Sequence, residues 1–409
     1  MNKIALFLSL LALAGFASSD WESIGPEGGE VRNVIQSNQD AGTIFAFTDN
    51  SPTQVLKSVN CGDTWTKVGT FNGYEYCAAM GPTGTIYAGS GSYVYYSTNG
   101  GASWMQSSYI QNAQIYGIAP HPTDPSIVHA AAYRYNGSTW VLCALKSTNG
   151  GASWSYTDLN SVQTYATDIA IGTTNPNLLF ISGYVYTGSN YIPVLYRSTD
   201  GGTTWADATP PGASSDYYGN SVAISPVNAN IVLFGTLYGL HRSTDGGSTW
   251  TKVSTNYYFY DISFSLANPN YVYAGYYQTV YRSTDAGQTW ASSSTGLAPS
   301  YYQYIAPHLT SATTVYASCP VGFYRSTDGG VSWVCDDDGL IIGRIACWGV
   351  APSQPSWIYM QMLGQGVWRT TDNGQNWTHL TTPLTCGDFC GIAVKHTDPM
   401  YVLALEGSG

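Results

Sequence analysis

The sequence is poor in charge, and poorest in basic residues. Only 10% of its 409 residues are charged, against roughly 25% in typical globular proteins. It contains 14 Lys and Arg against 25 Asp and Glu, which gives a formal net charge of −11. Because binding of nucleic acid requires clustered basic side chains that neutralise phosphates, this composition argues against a nucleic-acid partner.

Long apolar runs and metal-ligand clusters are also missing. No segment approaches the 18 apolar residues of a membrane-spanning helix, so no membrane span is predicted. None of the 6 His stands at the spacing of a zinc site, and the sequence predicts neither a metal nor a cofactor. Glu is scarce as well, which limits the pairs of carboxylates available for glycoside hydrolysis.

The amino terminus has the three parts of a secretory signal. Lys3 supplies the positive end, residues 4–16 are apolar, and residues 17–19 are small. We therefore expect a signal peptide at residues 1–19 and a secreted mature chain of one domain at residues 20–409.

Two further features are typical of secreted proteins. The cysteine count is even, at 8, which favours disulfides over a metal site. The pairs suggested by sequence proximity are Cys61 with Cys77, Cys335 with Cys347, and Cys386 with Cys390. Asn136 and Asn376 each begin an Asn-x-Ser/Thr glycosylation sequon, and the second overlaps a repeat motif.

That motif is the most informative feature of the chain. The phrase Ser-x-Asp/Asn-x-Gly-x-x-Trp, here called the box, recurs eight times, with degraded copies ending at Trp65 and Trp377. The closing tryptophans stand at 65, 104, 154, 205, 250, 290, 333 and 377. A period in this range indicates a repeat architecture.

Each repeat contains four short strand signals and no helical period. After Trp250, such signals occur at residues 251–253, 261–265, 271–275 and 280–283. Four-stranded antiparallel blades arranged radially form a β-propeller, which leaves only short edges exposed. The predicted fold is therefore all-β: a single β-propeller of eight four-stranded blades with the boxes on one face.

The two ends of the chain predict a partial ninth blade. Residues 20–25 resemble an outer strand, and residues 391–396 and 401–405 resemble an inner and a second strand. Its third strand is missing. Three explanations stay open: the chain is a fragment, another segment or chain supplies the strand, or the ring closes imperfectly. Self-assembly through this unpaired edge is one consequence.

The box resembles the Asp-box, or bacterial neuraminidase repeat, over nearly the whole mature chain. The resemblance implies a hairpin turn on the face opposite the ligand. Among Asp-box propellers, the chain resembles xyloglucan-cleaving glycoside hydrolases, whose catalytic Asp position is matched by Asp49 in Phe47-Thr48-Asp49. A plain turn residue is the alternative reading. Sortilin-type propellers are a more distant resemblance, and the Arg-containing sialidase signature is absent.

The loops that lead from each outer strand to the next inner strand are aromatic. By strand parity they open on the face opposite the boxes. Tyr rings are rigid and amphipathic, so they suit contact with sugar rings, although individual rings could simply pack between blades. The residues predicted to bind glycan are Tyr74, Tyr76, Tyr116, Tyr165, Tyr217, Tyr218, Tyr258, Tyr260, Tyr301, Tyr302, Tyr304 and Trp348.

Three functions follow from these features. The first is a secreted propeller that binds a carbohydrate through its aromatic face. The second is a glycoside hydrolase resembling xyloglucanases, with Asp49, Asp168 and Asp261 as candidate catalytic carboxylates; the latter two could instead bond between blades. The third is a structural subunit joined through the incomplete blade.

Overall fold

A computed structural model describes the protein at residues 31–48, 51–255, 259–276, 279–297, 304–319, 322–335, 345–362, 366–372, 376–380, 390–395, 398–400 and 402–406. These residues form β-strands joined by short turns, with one 3-10 turn at Ala213–Ser215. No helix within them is long and apolar enough to cross a membrane. The prediction of an all-β chain is confirmed.

The strands form eight four-stranded antiparallel sheets, as predicted, and each sheet is a blade whose strands follow chain order. Burial falls from the centre of a blade outwards. In blade 1 every residue of the second strand, Ile44–Thr48, is buried. In blade 3 every residue of the outer strand, Ser155–Asp158, is exposed. The apolar side chains of the inner three strands therefore fill the space between neighbouring blades.

The first four blades occupy residues 31–207. Their strands are β1 Val31–Gln36, β2 Ile44–Thr48, β3 Thr53–Ser58 and β4 Thr66–Phe71; β5 Cys77–Met80, β6 Ile86–Ser90, β7 Tyr93–Ser97 and β8 Met105–Gln106; β9 Ala113–Pro120, β10 Val128–Tyr135, β11 Trp140–Ser147 and β12 Ser155–Asp158; β13 Thr164–Ile171, β14 Leu179–Tyr186, β15 Tyr191–Ser198 and β16 Ala206–Asp207.

Four more blades and a two-stranded sheet follow. Their strands are β17 Gly219–Ile224, β18 Val232–Thr236, β19 Gly239–Ser243 and β20 Thr251–Ser254; β21 Asp261–Phe264, β22 Val272–Tyr276, β23 Thr279–Ser283 and β24 Ala291–Ser293; β25 Tyr304–Pro307, β26 Val315–Cys319, β27 Gly322–Ser326 and β28 Val334–Cys335; β29 Ile345–Val350, β30 Ile358–Met362, β31 Gly366–Thr370 and β32 Thr378–Leu380; then β33 Cys390–Val394 and β34 Val402–Glu406.

The box forms the turn between the third and outer strands. In blade 4, Ser198 Oγ donates to Asp200 Oδ1 at 2.8 Å and accepts from Gly202 N at 2.9 Å. Asp200 also accepts from the backbone and hydroxyl of Thr204, at 2.9 and 2.6 Å. Because these hydrogen bonds favour the ionised carboxylate, they lower the pKa of Asp200 to about 2.

In blades 2 to 7 the glycine of the Ser-x-Asp/Asn-x-Gly-x-x-Trp phrase packs against the preceding blade. Gly247, in the box of blade 5, has a φ of +82°, and a Cβ there would lie 2.5 Å from the Phe180 ring of blade 4. Gly330, in the box of blade 7, is placed in the same way against Tyr273 of blade 6. Glycine is required at this position because the backbone is left-handed and the neighbouring blade leaves no room.

The ring closes between blade 1 and blade 7. The inner strands of these seven blades are consecutive neighbours, and β25 returns to β1. At the seam, the rings of Trp65 and Phe323 meet edge to face at 5.4 Å. Arg325 donates to the backbone carbonyl of Cys61 and forms an ion pair with Asp63 at 2.7 Å. Seven blades thus form one closed ring.

Blade 8 has a different neighbour. Its inner strand packs against β33 of the two-stranded sheet, and Tyr359 Oη donates to the carbonyl of Pro399 at 2.7 Å. The strands predicted at the carboxyl end therefore exist, although residues 20–25 lie outside the described part of the chain. The sequence predicts that the two ends of the chain complete the ring, whereas β1 contacts β25 and blade 8 packs beside the two-stranded sheet. Self-assembly through this sheet stays a prediction.

The predicted Cys61–Cys77 disulfide is wrong. Cys61, Cys77 and Cys143 are free thiols. Cys61 lies in the box turn and packs into the seam between blades 1 and 7, whereas Cys77 begins an inner strand and packs between blades 2 and 3. Proximity in sequence is misleading because the two residues lie at opposite ends of the strands. The side chains of the other five cysteines fall outside the described residues.

Candidate functional site

The seven inner strands enclose a central channel. Its cavity has a volume of about 370 Å³ and takes residues from every blade of the closed ring. The polar and aromatic residues of its wall are Arg32, Asn33, Tyr76, Tyr116, Thr167, Asp168, Asn220, Ser221, Tyr260, Asp261 and Tyr304. The channel therefore brings together both described candidate carboxylates and four of the predicted aromatic residues.

β-Bulges in the inner strands shape this wall. Pairing is interrupted at Arg32 in β1, at Thr167 in β13 and at Asn220 in β17. A bulge adds one residue to a strand and redirects its side chain. These extra residues line the channel, as does Tyr116 at a fourth bulge, in β9. Period-two strand patterns in the sequence give no sign of these insertions, so sequence reasoning missed Arg32, Thr167 and Asn220 as parts of the site.

Asp168 and Asp261 each connect two blades. Asp168 Oδ2 accepts from Ser221 Oγ and Val222 N, both at 3.0 Å, which joins blade 4 to blade 5. Asp261 Oδ2 accepts from Ile305 N at 2.7 Å and joins blade 6 to blade 7. The alternative that these carboxylates bond between blades agrees with this geometry.

Both carboxyls are also electrostatically unusual. Burial raises the pKa of Asp168 to about 6 and that of Asp261 to about 7, although backbone N–H donors lower both. The charge of Asp168 raises the pKa of Asp261 further. Burial therefore favours the protonated form of both carboxyls, and that of Asp261 more strongly. Two carboxyls with different proton affinities in the same channel form a pair that acid–base chemistry can use.

A buried acid and a partly buried Arg lie at the blade 1 side of the channel. Glu75 is fully buried and accepts a hydrogen bond from Asn33 Nδ2 at 3.2 Å. The Arg32 guanidinium stacks over the Tyr76 ring, 4.9 Å from its centroid. Burial, reinforced by the charge of Glu75, raises the pKa of Tyr304, so this hydroxyl stays protonated. The channel thus offers hydroxyl, guanidinium and carboxyl groups within one cavity.

A continuous series of tyrosine rings begins at the channel wall. We call this series the aromatic arc; it consists of Tyr76, Tyr116, Tyr133, Tyr165, Tyr184, Tyr218 and Tyr191. Each ring contacts the next, with centroids 4.6–5.4 Å apart, which is the favourable range for aromatic pairs. The arc crosses blades 2 to 5, and each of its rings is partly exposed.

The arc depends on two long hairpins. The second and third strands of blades 3 and 4 are 8 residues long, against 5 for the second strands of blades 1, 2, 5, 6 and 7. Their extra length carries Tyr133, Tyr184 and Tyr191, together with Trp140, which meets Tyr133 edge to face at 5.3 Å. Sequence reasoning missed these four residues because it considered only the loops before inner strands.

The hydroxyl groups of Tyr133 and Tyr184 stay protonated. Burial raises the pKa of Tyr184 to about 12 and also raises that of Tyr133. A protonated phenol both donates and accepts hydrogen bonds. The arc therefore combines apolar ring faces with neutral polar groups, a combination that suits uncharged polyhydroxylated ligands.

The remaining predicted residues divide into three groups. Tyr260 and Tyr304 lie in the channel wall. Tyr74, which stands two residues before the wall residue Tyr76, is 50% exposed. Tyr217 is separate from the arc, since its ring packs against Tyr238 at 5.4 Å. Outside the described residues lie Asp49, Tyr258, Tyr301, Tyr302 and the side chain of Trp348.

The two sequons occupy different surroundings. Asn136 is exposed at the tip of the blade 3 hairpin, where its Oδ1 accepts from Ser138 and Thr139. Asn376 Nδ2 donates to Asp372 Oδ2 at 2.7 Å within the last box. Attachment of a glycan to Asn376 would alter that donor, so Asn136 is the better placed of the two. Glycosylation stays a prediction for both.

A closed ring of four-stranded antiparallel blades around a channel defines a β-propeller. The family model of the DUF6242 beta propeller domain matches residues 27–274, and the chain belongs to that family. No curated protein matches the sequence.

Solved structures share the fold. An ancestral GH74 enzyme has a TM-score of 0.69 at 17% identity, with 96% of this chain and 60% of that enzyme covered. The extracellular domain of a hybrid two-component system from B. thetaiotaomicron has a TM-score of 0.57 at 12% identity, with 91% of this chain and 49% of that protein covered. The chain thus spans at most 60% of these proteins, and at such identities the likeness concerns the fold alone.

Proposed function

We propose that this protein binds a polysaccharide or glycan along the aromatic arc. The observation that carries the proposal is the unbroken contact of seven partly exposed tyrosine rings across four blades. Sugars present apolar C–H faces and hydroxyl groups together, and tyrosine rings match both. In this proposal the protein acts after secretion, directed by the signal peptide predicted at residues 1–19.

The shape of the arc favours an extended ligand over a single sugar. Its rings follow one another from Tyr76 at the channel to Tyr191 on the blade 4 hairpin. The long strands of blades 3 and 4 extend their hairpins, so that the tyrosines of the hairpins lie beside those of the inner strands. A linear chain of sugar rings could therefore contact several tyrosines in succession, and the affinity would grow with chain length.

The ligand class is supported by two resemblances. The chain shares its fold with an ancestral GH74 enzyme, and the box repeats resemble those of xyloglucan-cleaving hydrolases. Xyloglucan and other β-glucans are therefore the first ligands to test. Net charge favours neutral glycans over acidic ones, since the chain carries −11 and few basic residues.

Isothermal titration with xyloglucan oligosaccharides of increasing length tests the proposal. Tyr184 is the best residue to change, because its ring contacts Tyr165, Tyr191 and Tyr218. Loss of one central aromatic contact of about 2 kcal/mol weakens binding about 30-fold. We expect Tyr184→Ala to show a loss of this size.

The matched control is Tyr156→Ala. Tyr156 is 43% exposed on the outer strand of blade 3, and its ring packs against the guanidinium of Arg134. Its affinity should equal that of the wild type. Equal losses in the two variants, or no binding of any β-glucan by the wild type, would contradict the proposal.

A second candidate function is hydrolysis of the bound glycan in the channel. The observation that favours it is the pair Asp168 and Asp261, whose pKa values are raised to different extents, to about 6 and about 7. In this proposal Asp261 gives its proton to the departing glycosidic oxygen, and Asp168 takes a proton from the water that attacks the anomeric carbon. Chromatography of β-glucan incubations for released oligosaccharide tests it. Product that disappears in Asp261→Asn supports hydrolysis. Binding without product contradicts hydrolysis and supports the binding function only.

A further inference from the structure

One loop on the face of the arc is held by a network of contacts around a buried carboxylate, which consists of a hydrogen bond to a histidine and an ion pair with a lysine. The loop connects the outer strand of blade 4 to the inner strand of blade 5, and Asp216 lies near its end. The side chain of Asp216 is buried; its Oδ2 lies 2.7 Å from His241 Nε2 and its Oδ1 lies 2.6 Å from Lys252 Nζ. Both partners belong to the third and outer strands of blade 5.

The backbone that follows Asp216 is in an unfavourable conformation. Tyr217 and Tyr218 have φ angles of 48° and 41°, a region that non-glycine residues rarely adopt. Leu237 N donates to the carbonyls of both, at 2.9 and 3.2 Å, and Tyr238 N donates to the carbonyl of Asp216 at 2.9 Å. Two consecutive strained residues persist only where the surroundings fix them, and such strain occurs often at functional sites.

The strained segment delivers one ring to the arc. Tyr218 stacks on Tyr191 at 4.6 Å and meets Tyr184 edge to face at 4.8 Å. With ordinary negative φ angles at these positions, the backbone would direct this ring elsewhere. The arc would then lose the contact that links the blade 4 hairpin to blade 5.

We propose that Asp216, His241 and Lys252 are positioning residues that hold Tyr218 in the glycan-binding arc. This inference rests on the function proposed above. The carboxylate fixes the end of the loop against blade 5, and this anchoring offsets the strain at Tyr217 and Tyr218. The network itself touches no ligand. It affects the affinity for the glycan by holding the Tyr218 ring in the arc.

The structural part of the inference has a test that needs no ligand. Hydrogen exchange followed by mass spectrometry compares wild type with Asp216→Ala. We expect faster exchange at Leu237 and Tyr238, whose amides donate to the anchored loop, and unchanged exchange in blades 1 and 7. Lys252→Ala is the milder variant, because it leaves the Asp216–His241 contact in place, and it should change exchange in the same direction. Unchanged exchange at these amides in both variants would overturn the inference.

The functional part uses a double-mutant cycle with the glycan. Tyr218→Ala and Asp216→Ala should each weaken binding about tenfold, and the double variant should be no weaker than Tyr218→Ala alone, since both remove the same contact. Asp63→Ala, which breaks an ion pair at the seam between blades 1 and 7, is the control and should bind like wild type. Additive losses, or wild-type affinity in Asp216→Ala, would overturn the positioning role.

The two proposals can fail separately. If the wild type binds no β-glucan, the proposed function fails, and hydrogen exchange still decides whether the network holds the loop. If the wild type and Tyr184→Ala behave as expected while Asp216→Ala binds normally, the binding function stands and only the positioning role fails.

Discussion

Replacement of Asp261 by Asn should stabilise the protein above neutral pH. Folding raises the pKa of this carboxyl from an ordinary value of 3.8 to about 7, mainly through burial. Between these two values the folded state retains a proton that the unfolded chain releases, so the carboxyl destabilises the fold progressively as pH rises from about 4 to about 7. Below pH 4 it contributes nothing, and above pH 7 the destabilisation is complete.

The magnitude follows from the shift. At 1.36 kcal/mol per pKa unit, a shift of about 3 units corresponds to roughly 4 kcal/mol, and partial access to the channel and coupling to Asp168 reduce this to about 2 kcal/mol. Asn keeps an acceptor oxygen for Ile305 N, which donates to Asp261 at 2.7 Å. Urea denaturation followed by tryptophan fluorescence at pH 4 to 8 measures the effect. We expect equal midpoints at pH 4 and a higher midpoint for Asp261→Asn at pH 8. A variant less stable than wild type at pH 8 would contradict this prediction.

Three further predictions concern the seam and the boxes. Arg325→Ala removes the ion pair that joins blades 1 and 7 and should lower the unfolding free energy by about 1 kcal/mol, measured by urea denaturation. Asp245→Ala should lower the thermal midpoint more than Asp245→Asn, because Asn99 makes the same backbone contact in its own box at 3.0 Å. Asp245→Asn should still lower the midpoint slightly, since its hydrogen bonds favour the ionised carboxylate that the amide replaces. Gly247→Ala should destabilise by about 2–4 kcal/mol in urea, since its Cβ would strike Phe180 from a left-handed backbone; a change below 1 kcal/mol would contradict the role given to the box glycine.

The box repeat was sufficient to predict the blades because it combines turn chemistry with a strand-starting tryptophan. It was insufficient to predict where the ring closes. Each blade presents its neighbour with the same kinds of residue, so the contacts of Tyr316 with blade 1 and of Tyr359 with residue 399 look alike in sequence. Which two blades meet to close the ring depends on the sum of the packing angles between all the blades. A local sequence pattern does not contain these angles.

The candidate site shows the same division. Tyr76, Tyr116 and Tyr165 were predicted as contact residues, since an aromatic residue before or within an inner strand is a local signal. Tyr133 and Tyr184 lie on hairpins that were not considered, yet the sequence held a sign of them. The intervals that end at Trp154 and Trp205 are the two longest between boxes, and they contain the long strands of blades 3 and 4.

The central claim is that a glycan lies along the aromatic arc. A crystal structure of the protein with the longest β-glucan oligosaccharide that binds in titration tests it most directly. We expect sugar rings stacked on tyrosines of blades 2 to 5, with Tyr184 in contact and the chain directed towards the channel. An oligosaccharide on the face of the boxes, with the arc unoccupied, would contradict it.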